Sequence, residues 1–381
     1  MHILVISSGY PNPYEPLDGI FYQDQAEALQ AAGNKVGVIS AIPVSIFSFL
    51  KLRKWKFGKK QFVQNGVRTF IHTYLNKPKS PVYPVKKART YGMAMLETYV
   101  REFGLPEIVH LHCYEGGEFA KAIKEKYGIP YVVTEHSSRF LLGTIPPVLE
   151  PVAKDVFSHA SVRIAVSDFL KETLARKYGL DFQYVPNIVD VSAFTMDHSV
   201  PKKEHFTFVH VAGMNANKNQ AMLLQAFRLL AAKFPEPRLV LVGDGPLREA
   251  LKKQVTDLKL SDRVHFAGHQ SRQQLLRTYN ESHAFVLSSF RETFGVVLIE
   301  AMSCGLPVIA TKCGGPESII SESYLGELTE IDAESLSLGM EKVYLDRANR
   351  DANEIRAFAV SHFSGEFVAK QLKDIYQQVA Q

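Results

Sequence analysis

Short runs of apolar, β-branched residues alternate with segments of helical periodicity along almost the whole chain. Runs that are continuously apolar are typical of strands in a parallel sheet covered on both faces. A first series of strands is predicted at residues 3–7, 35–40, 108–112, 131–134, 164–166 and 183–185. A second series is predicted at residues 206–211, 238–242, 264–266, 284–287 and 307–310. The pattern therefore predicts two doubly wound α/β domains, each built on its own parallel sheet.

The division between the two series falls in a polar stretch at residues 196–204. We therefore predict a first domain over residues 1–196 and a second over residues 197–362. Residues 363–381 are predicted to form an amphipathic helix, with Phe367, Leu372 and Ile375 on one face. Open α/β sheets bind ligands at the carboxyl ends of their strands, which predicts that these ends face each other across a cleft.

The composition is that of an ordinary globular protein, with 46% hydrophobic and 22% charged residues. The longest apolar stretch, residues 42–50, contains Pro43, Ser45 and Ser48, which argues against a transmembrane helix. The first residues lack the basic region and the long apolar core of a signal peptide. Three cysteines without C-x-x-C spacing argue against a disulfide framework and a zinc site. These features predict a cytoplasmic protein.

The net charge of +5 is unevenly distributed. Between Ala28 and Leu96 there is no acidic residue, whereas Lys and Arg together number 13. Within this span, residues 44–60 combine apolar and aromatic side chains with six cations, a composition suited to peripheral contact with an anionic membrane. The alternative is a basic surface loop. No recognition helix or RNA-binding motif accompanies the basic segment, so nucleic acid is not expected as a partner.

The strongest chemical motif spans residues 288–307, where a strand is predicted to lead into a helix. Glu292 lies at the strand-to-helix turn and Glu300 lies eight residues later, within the helix. The amides of Phe294, Gly295 and Val296 would be unpaired at the positive end of the helix, which favours a bound phosphate. A carboxylate at position 300 is able to accept hydrogen bonds from two ribose hydroxyls. The alternative is that both acids are ordinary helix-cap and solvated residues.

This motif, Glu-x7-Glu with an internal Phe-Gly, followed by Gly314-Gly315-Pro316-Glu317, resembles the family-4 retaining glycosyltransferases of the GT-B fold. Further stretches match the family in the same order along nearly the whole chain. They are Pro11…Asp18-Gly19, His110-Leu111-His112, Thr134-Glu135-His136, Val166-Ser167, Pro186-Asn187-Ile188-Val189-Asp190…Phe194, Val242-Gly243-Asp244-Gly245-Pro246 and Phe266-Ala267-Gly268.

The resemblance implies transfer of a sugar from a nucleotide-sugar donor, a UDP- or GDP-sugar, with retention of anomeric configuration. The second domain would bind the donor and the first the acceptor. Glu300 would bind ribose, Glu292 the donor sugar, and Lys218 the diphosphate, whose developing negative charge a fixed cation stabilises. The family positions of Gly19 and Gly268 imply loops that contact the donor.

The resemblance also implies that His136 faces the donor sugar, as a hydrogen-bond partner. His110 and His112 are expected on opposite faces of their strand, where they would be unable to share one metal ion. His110 is interpreted as structural. No Asp-x-Asp occurs in the chain, so neither a metal ion nor another cofactor is expected.

At three positions the chain departs from the family pattern. Most relatives have an arginine five residues before the diphosphate-binding lysine, and this chain has Gly213 there. Arg291 is one candidate to replace that cation. A Gly-Gly pair is common where this chain has Asp18 and Gly19. The resemblance implies that the helix of residues 363–381 crosses back onto the first domain, and this helix often carries tryptophan where this chain has Gly365.

The sequence thus predicts a retaining, metal-independent hexosyltransferase acting on a lipid-linked or saccharide acceptor in polysaccharide or glycolipid biosynthesis. Two alternatives remain within the same fold. One is a catalytically weak nucleotide-sugar-binding or scaffold protein, suggested by Gly213. The other is a sugar-nucleotide epimerase or a phosphorylase, for which additional cleft acids or a Schiff-base lysine would be needed; neither pattern is recognisable.

Overall fold

A computed structural model describes residues 1–12, 15, 18–45, 57–77 and 80–380. The chain divides into two compact units, one comprising Met1–Ile188 together with Gly365–Gln381 and the other comprising Val189–Ser364. The sequence placed the same divisions at residues 196 and 362. Phe194 explains the difference at the first division, because its ring packs edge-on against Tyr279 of unit 2, with the ring centroids 5.9 Å apart.

Unit 1 contains an eight-stranded sheet with the order β3-β4-β2-β1-β5-β6-β7-β8. Its strands are parallel except for β3, which pairs antiparallel with β4 at the edge of the sheet. The strands are β1 (His2–Ser7), β2 (Lys35–Val44), β3 (Gly58–Gln64), β4 (Val67–Leu75), β5 (Ile108–His112), β6 (Tyr131–Glu135), β7 (Val162–Ala165) and β8 (Gln183–Tyr184).

The β3–β4 hairpin was not predicted from the sequence. Its turn is made by Asn65 and Gly66, both with positive φ (48° and 80°), the conformation that an Asn-Gly turn favours. β3 contains the exposed residues Lys59 and Lys60, the last two of the predicted membrane segment 44–60. Residues 46–56 of that segment lie outside the described residues, so membrane contact stays a prediction.

Helices cover both faces of the unit 1 sheet. They are α1 (Ile20–Ala31), α2 (Val82–Phe103), α3 (Gly117–Tyr127), α4 (Arg139–Leu142), α5 (Glu150–His159), α6 (Asp168–Tyr178) and the final helix, which becomes α13 (Gly365–Val379) in chain order. The final helix packs on α1 and buries Leu372 and Tyr376 completely. At its first residue, Gly365, an added Cβ would lie 2.9 Å from the Cβ of Ala28, so the close packing of the two helices leaves no room for tryptophan.

Unit 2 contains a six-stranded, entirely parallel sheet with the order β11-β10-β9-β12-β13-β14. Its strands are β9 (Thr207–Val211), β10 (Arg238–Val242), β11 (Val264–Gly268), β12 (Ala284–Leu287), β13 (Val308–Thr311) and β14 (Gly326–Thr329). Its helices are α7 (Gln220–Lys233), α8 (Arg248–Asp257), α9 (Arg272–Glu281), α10 (Val296–Ser303), α11 (Ala333–Leu345) and α12 (Ala352–Phe363). The predicted fold class, two parallel-sheet α/β domains, is confirmed.

The central strands of both sheets are buried on both faces, as their continuous apolar character predicted, whereas β3 at the edge of the unit 1 sheet is mostly exposed. All side chains of β12 and β13 are buried, and every residue of β5 is buried as well. In the described part of the chain, no helix combines the length and the apolar character needed to span a bilayer.

Candidate functional site

Glu292 follows β12 at the carboxyl edge of the unit 2 sheet, where open α/β domains bind their ligands. Its backbone forms a parallel bridge with the segment after β13. The amide of Glu292 donates to the carbonyl of Cys313 (3.0 Å), and the amide of Gly315 donates to the carbonyl of Glu292 (2.9 Å). Two backbone hydrogen bonds therefore fix the turn that carries the Glu292 side chain.

Gly315 is required by the close approach of this segment to Phe294. A Cβ at position 315 would lie 2.1 Å from the carbonyl oxygen of Phe294, closer than two such atoms approach in folded proteins. Glu317 holds the same segment from the other side, because its two carboxylate oxygens accept from the amide of Gly314 at 3.1 and 2.9 Å. The Gly-Gly-Pro-Glu sequence thus shapes the turn around Glu292.

Lys218 lies in a short 3₁₀ turn, Ala216–Lys218, after β9. Three hydrogen bonds join this turn to the segment before Glu292. The hydroxyl of Ser288 donates to the carbonyl of Lys218 (2.8 Å), the amide of Phe290 donates to the carbonyl of Asn217 (2.8 Å), and the side-chain amide of Asn217 donates to the carbonyl of Arg291 (2.9 Å). Lys218 and Glu292 are therefore held next to each other, although 74 residues separate them in the sequence.

The side chains of Lys218 and Glu292 form an ion pair. Lys218 Nζ lies 2.6 Å from Glu292 Oε1, and the hydroxyl of Ser289 donates to the same oxygen at 2.6 Å. The lysine side chain is 25% exposed and the glutamate side chain 15% exposed, so the pair is reachable by a ligand. The arrangement presents a cation and an oriented carboxylate side by side to a polar ligand.

Helix α10 begins at Val296, two residues after the start expected from the sequence. Gly295 accounts for the difference, because it adopts φ 112°, outside the helical region. The first helical hydrogen bond runs from the amide of Leu298 to the carbonyl of Gly295 (2.9 Å). The amides at the start of the helix therefore precede the intrahelical ladder, which is the arrangement that binds anions. Phe294, in the turn before the helix, is buried.

Glu300 lies in the middle of α10 with its carboxylate held by Tyr279. The phenol of Tyr279 donates to Glu300 Oε2 at 3.1 Å, and the tyrosine itself is completely buried in α9. Burial, followed by the nearby Glu300 carboxylate, raises the pKa of Tyr279 well above its usual range, so the phenol keeps its proton. This hydrogen bond orients the carboxylate.

Gly213 is exposed, and a Cβ added to it would meet no steric clash. A Cβ at this position would have its nearest neighbours at 3.7 Å (Asn215 Nδ2) and 3.8 Å (the carbonyl of Asp244), both ordinary contacts. Arg291, the candidate to replace the missing cation, is exposed and donates from Nη1 to the neighbouring carbonyl of Phe290 (2.7 Å).

Gly268 is the last residue of β11 and adopts φ 69°. A Cβ added to Gly268 would lie 4.0 Å from the guanidinium group of Arg248.

In unit 1, His136 follows β6 and is held by two neighbours. Its ring Nε2 is hydrogen-bonded to Nδ1 of His112 (3.0 Å), and its backbone amide donates to the carboxylate of Glu135 (2.9 Å). Burial lowers the pKa of His136 to about 3 and that of His112 well below its usual value. Both rings are therefore neutral, and one shared proton links them.

The expectation that His110 and His112 lie on opposite faces of β5 was wrong. Their rings stack with centroids 4.4 Å apart, because residues i and i+2 of a strand share a face. His110 is buried between the hydroxyls of Tyr376 (2.5 Å) and Thr134 (2.8 Å), as a structural role requires. Among the described residues, no group of three or more His, Cys, Asp or Glu side chains has the arrangement of a metal site.

Gly19 is the residue before α1 and adopts φ 65°. A Cβ at Gly19 would lie 2.9 Å from the carbonyl of Gly9, in the loop after β1. The carboxylate of Asp18 rests against Gly9, and burial raises its pKa. The loop that carries Gly19 therefore follows β1 at the carboxyl edge of the unit 1 sheet.

Acid should unfold unit 1 through its buried histidines. Burial lowers the pKa values of His110 and His136 from 6.5 to about 3, so the unfolded chain binds protons that the folded chain does not. Glu135 and Glu115 act in the opposite sense, because burial raises their pKa values, but their effect fades as the pH falls below 4.5 and the unfolded glutamates also become protonated. Between pH 4.5 and 3, each histidine is expected to lower the free energy of unfolding by at most about 1.4 kcal/mol per pH unit.

Hydrogen exchange of peptides from β5 and β6, corrected for the intrinsic pH dependence of exchange, measures this slope. His110→Gln should reduce the slope of the free energy of unfolding against pH by the contribution of one histidine. An identical slope in His110→Gln and the unchanged protein would contradict the assignment.

Several residues around the site were not singled out from the sequence. Ser289 was part of the quoted motif, but nothing in its spacing indicated that its hydroxyl contacts the Glu292 carboxylate. Asn217 and Tyr279 gave no signal, since their contacts depend on how distant loops and helices meet. The structure brings together Lys218, Glu292 and the start of α10 in unit 2, whereas His136 and Gly19 belong to unit 1.

Comparisons with known proteins cover most of the chain. The model of the family "Glycosyltransferase Family 4" matches residues 20–193, and that of "Glycosyl transferases group 1" matches residues 193–359. The glycosyltransferase TuaC of Bacillus subtilis, named for teichuronic acid biosynthesis, is 28% identical over 342 residues, covering 84% of each chain. The N-acetyl-alpha-D-glucosaminyl L-malate synthase of Bacillus anthracis is 28% identical over 343 residues, covering 84% of this chain and 88% of its own.

Among solved structures, the HepE protein of Anabaena in complex with UDP superimposes with a TM-score of 0.75. The alignment covers 99% of this chain and 100% of HepE at 19% sequence identity. At this identity the likeness concerns the fold alone.

Proposed function

The chain belongs to the family-4 glycosyltransferases of the GT-B fold, and from that premise we propose that it transfers a hexose from a nucleotide-diphosphate donor with retention of anomeric configuration. The product is a polysaccharide or glycolipid precursor. The observation that carries the proposal is the Lys218–Glu292 pair beside the start of α10, which combines a cation, an oriented carboxylate and helix amides.

Unit 2 binds the donor in this proposal. Lys218 and the amides of Phe294, Gly295 and Val296 stabilise the diphosphate, Glu300 accepts hydrogen bonds from the ribose hydroxyls, and Gly268 lines the donor loop. Glu292 contacts the hydroxyls of the transferred sugar. UDP in the similar HepE structure supports a nucleotide donor, and the charge of the diphosphate is balanced by these groups without a metal ion.

The reaction breaks the bond between the anomeric carbon and the diphosphate oxygen. The acceptor hydroxyl attacks from the same face that the diphosphate leaves, and its proton passes to the departing phosphate oxygen. Lys218 stabilises the negative charge that develops on this oxygen. Neutral His136 hydrogen-bonds to the sugar, and Gly19 lies in the loop that completes the donor contacts. No side chain acts as a covalent nucleophile in this scheme.

Unit 1 binds the acceptor, which is lipid-linked or a saccharide. The relatives named for teichuronic acid biosynthesis and for L-malate suggest acceptors that carry negative charge.

Peripheral contact with an anionic membrane through residues 44–60 is part of the proposal. Sedimentation with liposomes of phosphatidylglycerol tests it, since neutralising the cations of residues 51–60 should abolish binding.

A panel of UDP- and GDP-sugars tests the function. A donor should raise the midpoint of thermal unfolding, because a ligand that binds only the folded state stabilises it. The same donor should be hydrolysed slowly without acceptor, and NMR of the sugar released to an acceptor reports whether the configuration is retained. Binding of nucleotides without turnover of any donor favours the alternative of a binding or scaffold protein, which Gly213 suggests.

Gly213→Arg should restore the cation that the family pattern contains. A Cβ at this exposed position would make only ordinary contacts, so the fold should be kept. One additional charge-assisted hydrogen bond should tighten binding of UDP or GDP by roughly 10-fold. Isothermal titration calorimetry measures the change, with Gly213→Gln as a neutral control. Equal affinities of the Arg and Gln variants would show that position 213 does not face the diphosphate.

A further inference from the structure

An acidic residue ends the fully buried strand β6, Tyr131–Glu135. Glu135 has no exposed surface, and a buried carboxylate is costly unless hydrogen bonds replace its water. Three backbone amides supply these hydrogen bonds. Oε1 accepts from the amides of His136 (2.9 Å) and Ser137 (2.8 Å), and Oε2 accepts from the amide of Tyr114 (3.2 Å). Glu135 therefore ties the turn after β6 to the turn after β5.

The turn after β5 is strained at the residue before Tyr114. Cys113 adopts φ 62° and ψ 146°, close to a region of the backbone map that in practice only glycine occupies. The ψ angle of Cys113 sets the plane of the following peptide, so this conformation aims the Tyr114 amide at Glu135. A second hydrogen bond, from the Cys113 amide to the carbonyl of Thr134 (2.9 Å), holds the same turn. Strain of this kind persists where surrounding contacts fix the backbone, and it concentrates at functional sites.

The two turns carry the two rings of the buried histidine pair. His112 ends β5, and His136 directly follows Glu135. Their hydrogen bond of 3.0 Å, between Nδ1 of His112 and Nε2 of His136, joins one strand end to the other. Phe21 and Tyr22 of α1 pack against the rings, with centroids 5.0 Å from His136 and 4.6 Å from His112. The rings are thus confined by α1, whereas the backbone of His136 is fixed by Glu135.

We propose that Glu135 is a positioning residue, which holds the strained turn of Cys113 against the turn after β6 and so fixes His136 in the orientation that contacts the donor sugar. Burial and the neighbouring Glu115 raise the pKa of Glu135, whereas the three amides lower it and favour the carboxylate form. The contact of His136 with the sugar rests on the proposed function; the hydrogen bonds of Glu135 do not depend on it.

NMR of the full chain with ¹⁵N-labelled histidine tests the geometry without any ligand. A scalar coupling across the N–H···N hydrogen bond reports the contact between His112 and His136. Glu135→Gln keeps one carbonyl oxygen for the amides of His136 and Ser137, but it presents an NH₂ group, which is unable to accept, to the amide of Tyr114. The coupling should therefore be lost in Glu135→Gln. An unchanged coupling would overturn the proposal, whatever the activity of the variant.

Kinetics separate a positioning role from a purely structural one. Glu135→Gln should lower kcat by roughly 10-fold or more, because a displaced group beside the reacting sugar is costly, and it should leave the Kd for UDP or GDP unchanged. Val132→Ala, which removes buried apolar volume from the same strand, is the matched control for lost stability. Assayed well below both thermal midpoints, Val132→Ala should keep its kcat. Equal losses of kcat in the two variants would make the role of Glu135 structural and overturn the proposal.

The strain at Cys113 is measured by thermal unfolding. Cys113→Gly and Cys113→Ala both remove the thiol, but only glycine adopts the observed φ and ψ readily. Cys113→Gly should therefore unfold roughly 2–4 °C above Cys113→Ala, the reverse of the usual order of these two residues. In the Glu135→Gln background the turn relaxes, so the difference should shrink. An equal difference in both backgrounds would show that Glu135 does not hold the strain, and the proposal would fail.

Failure of this inference is distinguishable from failure of the proposed function. If the unchanged protein turns over no UDP- or GDP-sugar, the proposed function fails, and the catalytic role of Glu135 fails with it. The histidine coupling and the thermal midpoints then still decide whether Glu135 holds the two turns. If the unchanged protein turns over a donor and Glu135→Gln loses the coupling without any loss of kcat, the positioning role alone is overturned.

Discussion

Replacing Lys218 with alanine should lower kcat by roughly 10²-fold or more, the usual loss when one preorganised charge-stabilising donor is removed. Three hydrogen bonds hold the 3₁₀ turn of Lys218 against the segment before Glu292, so the ammonium group is positioned before a ligand binds. Because the leaving diphosphate gains charge in the transition state, the loss should appear mainly in kcat. Steady-state kinetics with the donor identified by the panel measures it.

A second effect contributes to the Lys218→Ala variant. The mutation leaves the Glu292 carboxylate without its cation, 2.6 Å from where the ammonium group was. The double variant Lys218→Ala/Glu292→Gln removes this residual charge, and a partial recovery of kcat would measure the repulsion. Lys252→Ala, an exposed lysine of α8 in the same unit, is the control. Unchanged kcat in Lys218→Ala would exclude the proposed role.

Replacing Glu300 with alanine should raise the KM for the donor by roughly 10²-fold or more, with a smaller effect on kcat. Two hydrogen bonds from ribose hydroxyls to a carboxylate are lost, each worth about 1.5–3 kcal/mol. The ribose does not change in the reaction, so the interaction is as strong in the ground state as in the transition state. Donor KM and the Kd for the free nucleotide should therefore rise together.

Tyr279→Phe is the matched control for Glu300. It keeps the carboxylate but removes the hydrogen bond to Oε2, so the nucleotide Kd should rise less than in Glu300→Ala. A Glu300→Ala variant with unchanged KM, or one that lowers only kcat, would contradict the ribose assignment.

The strands were the most predictable part of the fold. The predicted bounds of β5, β10 and β12 coincide with those in the structure, because each is a short, almost completely buried run of mainly apolar residues. The β3–β4 hairpin was missed because β3 is an edge strand whose side chains are mostly exposed. The Asn65-Gly66 pair was the sequence signal that indicated its turn. Edge strands do not need the continuous apolar pattern.

The turn that carries Glu292 was predictable from the sequence, but the contacts of its side chain were not. The spacing of Glu292 and Glu300 within one motif indicated a strand-to-helix turn, and the turn is present. The pairing of Lys218 with Glu292 was not foreseen, since it depends on how the loops after β9 and β12 meet. The stacking of His110 on His112 follows directly from strand geometry, so the sequence was sufficient to predict it and the prediction of opposite faces was an error of reasoning.

The discontinuity of unit 1 has a consequence for synthesis on the ribosome. Its last helix packs on α1, yet it is encoded after all 176 residues of unit 2, Val189–Ser364. Unit 2 is continuous and can fold as soon as it has emerged, since domains generally fold as units. In unit 1, the apolar surface around Ala26 and Leu29 stays uncovered until the helix that carries Leu372 and Tyr376 has been synthesised. During translation, the nascent chain therefore exposes an apolar surface suited to chaperone binding, and the final helix ends that exposure.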